Sequence, residues 1–158
     1  MMQKKTIIHF LIALVLCQLA GVVGSLFTDS ISSWYVFLNK PVFNPPSWLF
    51  GPVWISLYTL MAVSFTLLWA KIDEGAGARA VLIFFVFHLV LNALWSVLFF
   101  GMQNPTLAFM EIIILLLTLI ILMIRSWKIS RVAVYVLIPY LCWVSFAAVL
   151  NYSIMMLN

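Results

Sequence analysis

Charge is what this chain has least of. Only 8% of its 158 residues are charged, against about 25% in a soluble domain. Hydrophobic residues make up 66%, and the mean hydropathy is +1.22. A soluble fold of this length has no interior large enough to hide that much apolar surface. Between Arg79 and Glu111 there is no formal charge at all. Acids are the scarcest, with four Asp and Glu against eight Lys and Arg. With only two histidines beside them, general acid–base catalysis and proton-coupled transport would have few carriers. The two cysteines, Cys17 and Cys142, lie far apart inside apolar runs. That excludes a disulfide framework and a cysteine metal site, and each reads as a small core residue. Nor is there a Walker loop, a G-x-S-x-G elbow, an HExxH pair or a pair of suitably spaced carboxylates.

What is present is five long apolar runs, at roughly 7–27, 47–70, 80–100, 106–125 and 132–157. Each meets the requirement of about 20 residues for a spanning helix. Transmembrane strands would alternate polar and apolar residues, whereas these runs are continuous and rich in Leu, Ile, Phe and Ala. The fold class is therefore all-α, an integral membrane bundle of five transmembrane helices forming one domain over 1–158. An odd number of spans puts the termini on opposite sides. Lys4, Lys5, Lys71, Arg79, Arg125, Lys128 and Arg131 flank one side, and Lys40 alone falls opposite. The positive-inside rule then puts the N-terminus in the cytoplasm and the C-terminus outside. The basic balance is a topology signal, and nucleic acid is not an expected partner. The first run reads as a retained helix, since no small-x-small cleavage site follows it. Small size and the lack of a targeting peptide point to a bacterial cell membrane.

The longest connection, 28–46, carries Asp29, Ser30, Ser32, Ser33, Trp34, Tyr35, Asn39 and Lys40. Connections of that length are often functional lids. It leads into Asn39-Lys-Pro-Val-Phe-Asn-Pro-Pro-Ser-Trp-Leu-Phe-Gly-Pro-Val-Trp54, with four prolines and two tryptophans at the entrance of the second span. Pro45 and Pro46 suit a helix start, where backbone N–H groups have no intrahelical partner. The other links are short, including Asp73-Glu-Gly-Ala-Gly77 and the break at Gly101-Met-Gln-Asn-Pro105, so consecutive helices are expected as antiparallel neighbours.

Three stripes mix flat aromatics with polar tips. The second span places Trp54, Tyr58, Met61 and Phe65 on one face; the third places His88, Asn92 and Trp95; the fifth places Tyr140, Trp143, Ala147, Leu150 and Asn151. Such a lining suits a large, planar, mostly apolar ligand, and equally suits plain helix packing. Asn92 and Asn151 are costly in lipid and should bond to another helix or to a ligand. His88 reads as a hydrogen-bonded core histidine. Glu111 is the one carboxylate inside an apolar run and is either a functional group or solvated at the interface. Gly21 and Gly24 permit close helix contact, and Pro139 should kink the last span.

Lys40-Pro41-x-x-x-Pro45-Pro46, Trp48 and Gly51-Pro52-Val53-Trp54 with Leu57-Tyr58 resemble the first-loop and second-helix signature of the translocator proteins, also called tryptophan-rich sensory proteins. Asn92-Ala-Leu-Trp95 with Phe99-Phe100-Gly101, and Pro139-Tyr140-Leu-Cys-Trp143 with Phe146-Ala147 and Leu150-Asn151-Tyr152, are similar to that family's third and fifth helices. The resemblance implies a five-helix bundle that receives porphyrins, including haem, as ligands and requires no cofactor or metal. It places Leu49, Phe50, Trp54, Asn92, Trp95, Trp143, Phe146, Ala147 and Leu150 around the ligand. It also implies light-dependent porphyrin breakdown or transport of small amphiphiles as alternatives, with Trp54 and Trp143 the reactive groups in the first case. A homodimer is a further implied partner. Three departures stand out. No Lys or Arg follows Tyr152, which counts against sterol recognition; Leu107 stands where animal members tend to have tryptophan; and His88 is not a hallmark of the family.

Overall fold

Lipid offers a backbone no hydrogen bonds, so a chain this apolar must satisfy its peptide groups within each segment. The computed structural model does so with helices, and no strand occurs among the described residues, which are 2–28, 33–74 and 77–158. Asp29, Ser30 and Ser32 of the long connection, and Gly75 and Ala76 of the next, lie outside them. The elements are α1 (Met2–Ser25), α2 (Trp34–Phe37), α3 (Ser47–Trp69), α4 (Ala78–Ser96), a π-helical turn (Val97–Gly101), α5 (Pro105–Trp127) and α6 (Arg131–Leu157). Five helices are long and apolar enough to cross a membrane: Lys4–Ser25, Ser47–Trp69, Ala78–Gly101, Pro105–Trp127 and Arg131–Leu157.

Helix ends follow local chemistry. Asn104 caps α5, its Oδ1 accepting from Leu107 N at 3.0 Å, with Pro105 at the position where a missing N–H costs nothing. Ser130 caps α6 by accepting from Ala133 N at 3.3 Å. Pro46 sits at the cap of α3 in an extended conformation, and the helix runs on through Pro52 in its first turns. Pro139 lies inside α6, and the helix runs without a break from Arg131 to Leu157.

The five spans pack as a ring in the order α1, α3, α6, α5, α4 and back to α1. Each span touches the next in sequence; α3 and α4 do so through Phe65, edge-on to Phe85 at 5.3 Å, and through Tyr58, bonded to Asn92, while α1 packs against both. The 70–77 link can reach roughly 25 Å at about 3.3 Å per residue, more than the ~8–10 Å between packed helices, and so permits α1 to stand between them in the ring. The core centres on Tyr58, Met61, Phe65, Phe85, Leu115, Leu119, Leu137 and Tyr140. Cys17 belongs to it, whereas Cys142 is exposed on the outer surface of α6, contrary to its expected place in the core. Gly21 lets α1 approach the Tyr58 ring, because a Cβ there would lie 2.5 Å from Tyr58 Cε2.

Candidate functional site: an aromatic-walled cavity

A cavity of about 420 Å³ lies in the half of the bundle next to the 28–46 connection. From α3 come Phe50, Trp54 and Tyr58, four residues apart and so on one face. From α4 come Asn92, Trp95 and Ser96, and the π turn adds Phe99 and Phe100. From α6, Ala147, Leu150, Asn151 and Ile154 follow the same helical stripe. Tyr35 of α2 reaches the cavity from the connection, and Gln18, Gly21, Val22 and Ser25 of α1 close the remaining side. Behind Trp54, Asn92, Trp95 and Ala147 there is only a void of about 10 Å³, bordered by Ile112 and Leu115 of α5. That is at or below the ~10–15 Å³ a water needs, so α5 closes the bundle there.

The aromatic wall is ordered. Trp54 and Tyr58 lie 5.4 Å apart at 29°, and Trp95 and Phe99 lie 5.0 Å apart at 19°. Both are stacked arrangements, and all four rings line the cavity. The polar tips are fixed by their partners. Trp95 Nε1–H donates to Asn151 Oδ1 at 3.0 Å, and Asn151 Nδ2 donates to Pro105 O at 2.8 Å, tying α4, α6 and α5 together. Tyr58 donates to Asn92 Oδ1, and Asn92 Nδ2 donates to Tyr140 Oη at 2.8 Å. Gln18 Nε2 donates to Ile55 O and Thr59 Oγ1, both at 3.2 Å, across the α1–α3 seam. The connection is held in place as well. Tyr35 Oη donates to Asn44 Oδ1 at 2.8 Å, and Lys40 Nζ sits 4.7 Å above the Tyr35 ring. Asn39 N donates to Asn158 Oδ1 at 2.9 Å, joining it to the end of α6. Burial pushes the Tyr35 phenol above its ordinary value of 10.0.

Of the residues that the sequence singled out, Phe50, Trp54, Asn92, Trp95, Ala147 and Leu150 line the cavity. Leu49, Trp143 and Phe146 do not. Trp143 meets Phe50 edge-on at 6.0 Å and Phe146 at 5.5 Å, and Phe146 meets Phe43 at 6.3 Å. Both side chains therefore lie on the flank of the α6 stripe, toward α3 and Phe43 of the connection, with Phe50 on the cavity wall in front of Trp143. Asn92 and Asn151 take their interhelical bonds and border the cavity as well. His88 is fully buried and bonded on both nitrogens, to Thr118 Oγ1 and Tyr140 Oη, each at 2.9 Å. Glu111 does not reach the interface: it is 5% exposed, and neither carboxylate oxygen has a hydrogen-bond partner among the described residues. Missed by the sequence reading were the whole α1 wall, Tyr35 and the paired phenylalanines. Gly21 and Gly24 were the available signal for α1, since small residues mark where helices come close.

A lipid-spanning bundle of five helices enclosing an aromatic cavity under a proline-rich connection defines a class of membrane protein. The chain belongs to the TspO/MBR family, whose family model matches residues 13–157. It is 38% identical over 160 aligned positions to the "Tryptophan-rich protein TspO" of Chlorobaculum tepidum, covering 98% of this chain and 99% of that one. The protein of the same name from Archaeoglobus fulgidus is 41% identical over 150 residues, 94% of this chain and 96% of its own. The human "Translocator protein" is 33% identical over 123 residues, 77% of this chain and 72% of its own. This is thus a multi-pass integral membrane protein.

Proposed function

We propose that the protein is a membrane receptor that binds a flat, mostly apolar tetrapyrrole such as protoporphyrin IX or haem in this cavity. The observation that carries the reading is the wall itself. Two stacked aromatic pairs face a space of about 420 Å³, within the ~300–1,000 Å³ of small-molecule sites, with few polar groups among them. Burial of ring faces against Trp54 and Trp95 supplies the binding energy, and Asn92 orients the guest. The asymmetry of basic residues supports a cytoplasmic N-terminus and an outward-facing cavity mouth, and the bacterial relatives support a bacterial cell membrane. The test is a dark titration of purified protein with protoporphyrin IX, followed by tryptophan quenching. Saturable quenching at micromolar ligand is expected, weakened more by Trp54→Phe than by Trp143→Phe, because Trp54 lines the cavity and Trp143 does not. Absence of saturable binding removes the reading.

A second reading, light-driven oxidation of the bound porphyrin by molecular oxygen, is favoured by one feature. The oxidisable Trp54 indole stands on the cavity wall, within contact of any guest. It predicts a new absorbing product under illumination that Trp54→Phe suppresses. Bleaching at an unchanged rate in that variant rules it out.

A further inference from the structure

The buried polar side chains behind the cavity form one directed chain. Thr118 Oγ1 lies 2.9 Å from Leu115 O, and a carbonyl can only accept, so the hydroxyl proton is spent there. Toward His88 Nδ1, 2.9 Å away, Thr118 can then only accept, so Nδ1 carries the imidazole proton. In a neutral ring Nε2 must therefore accept, and its partner at 2.9 Å, Tyr140 Oη, must donate. With its own proton used, Tyr140 accepts from Asn92 Nδ2 at 2.8 Å. That fixes the Asn92 amide with Oδ1 toward Tyr58, which donates to it. Each link leaves the next a single choice, from α5 through α4 and α6 to α3. Glu111 shares the α5 face of Thr118 but has no hydrogen-bond partner among the described residues.

The consequence falls on the cavity, where Tyr58 and Asn92 are the last two members. Asn92 has two amide hydrogens and uses one on Tyr140. Tyr58 has one hydroxyl proton and uses it on Asn92. The floor thus presents one N–H donor beside one oxygen that can only accept. We propose that His88, a positioning residue that touches no guest, sets the ligand specificity of the cavity by holding this polarity. The favoured guest is a planar apolar molecule carrying a carbonyl or imine acceptor next to an N–H donor, as in a lactam edge. This rests on the cavity being a ligand site, as proposed above.

Phenanthridinone and its N-methyl derivative are planar probes that differ only at the donor. In tryptophan-quenching titrations, wild-type protein is expected to favour the N–H lactam about fivefold, the worth of one net hydrogen bond. In His88→Leu the Tyr140 proton has no acceptor on α4 except the Asn92 amide, which turns over and releases the Tyr58 proton into the cavity. The preference should then fall to one or reverse. His88→Gln can accept from Tyr140 and donate to Thr118, so it should keep the wild-type ratio. Thr118→Val, nearly equal in volume, strands Nδ1–H and drives the ring to the other tautomer. It should lose the preference even if His88→Leu does not fold. A fivefold ratio surviving in Thr118→Val and His88→Leu, or a wild-type ratio of one, overturns the inference while leaving the cavity a binding site. Failure of both probes and of protoporphyrin IX to bind wild-type protein removes the ligand-site reading and this inference with it.

Discussion

Three glycines allow the α1–α3 contact to be weighed against its own control. Replacing Gly21 by alanine adds a methyl 2.5 Å from Tyr58 Cε2, 2.9 Å from Cδ2 and 3.3 Å from Cζ. The ring cannot swing freely, because Trp54 stacks on it at 5.4 Å and its hydroxyl is held by Asn92. Either α1 moves outward or Tyr58 gives up its hydrogen bond. Overpacking of this kind costs about 1–3 kcal/mol. At Gly51 an added Cβ meets nothing within 4 Å, so Gly51→Ala keeps only the backbone gain of roughly 0.5–1 kcal/mol for alanine in a helix. Since both variants share that gain, the difference between them isolates the overlap. Gly24 falls between, its nearest contact being Ser96 Oγ at 2.9 Å, a hydroxyl that can rotate away. Thermal unfolding of the three variants in one detergent should rank Gly51→Ala above Gly24→Ala above Gly21→Ala. The outer two should differ by roughly 2–12 °C at about 2–4 °C per kcal/mol for a chain of this size. If Gly21→Ala unfolds no earlier than Gly51→Ala, the close approach of α1 to Tyr58 is wrong.

Asn151→Ala removes the acceptor of the half-buried Trp95 indole N–H and the donor to Pro105 O, two hydrogen bonds at about 0.5–1.5 kcal/mol each, and should lower the unfolding midpoint. Asn104→Ala removes the cap of α5 and should cost about 1 kcal/mol, with Asn104→Asp retaining most of it, both by the same thermal assay. Tyr35 spends its proton on Asn44, and burial favours its neutral form, so its contribution to closing the connection is complete below the ordinary value of 10.0 and lost as pH rises through the higher folded value. In a tyrosinate absorbance titration Tyr35→Phe should remove a step that lies above 10.0; loss of a step at the ordinary 10.0 instead would place Tyr35 in solvent.

The spans were legible because hydropathy measures what lipid demands, and proline, asparagine and serine mark the ends of α3, α5 and α6. Stripes at helical spacing were enough to gather Trp54, Asn92, Trp95, Ala147 and Leu150 on one space. They fell short for Trp143, because a stripe is wide and spacing alone does not say which side of it a neighbouring helix takes. The α1 wall stayed hidden since Gln18, Val22 and Ser25 read as ordinary members of an apolar run. His88 was recognised as a bonded core residue. Its link to the cavity depends on Tyr140 and Asn92 arriving from two helices at once, which is tertiary information. The fate of Glu111 likewise turned on where α5 sits in the ring.

The π turn at Val97–Gly101, with Met102 N bonded to Val97 O at 2.7 Å, can be read as chain arithmetic. One residue more than an α-helix would use is accommodated between Asn92, whose position the buried chain fixes, and Asn104, which caps the next helix. Deleting a residue there would return the turn to α-helical register and rotate the pair Phe99 and Phe100 by about 100°, one residue of helix. Inserting a residue would have to be absorbed at Met102 or Gln103, where φ is already +53°. The length of this segment is therefore itself a determinant of the cavity, as firmly as the identity of the rings that face it.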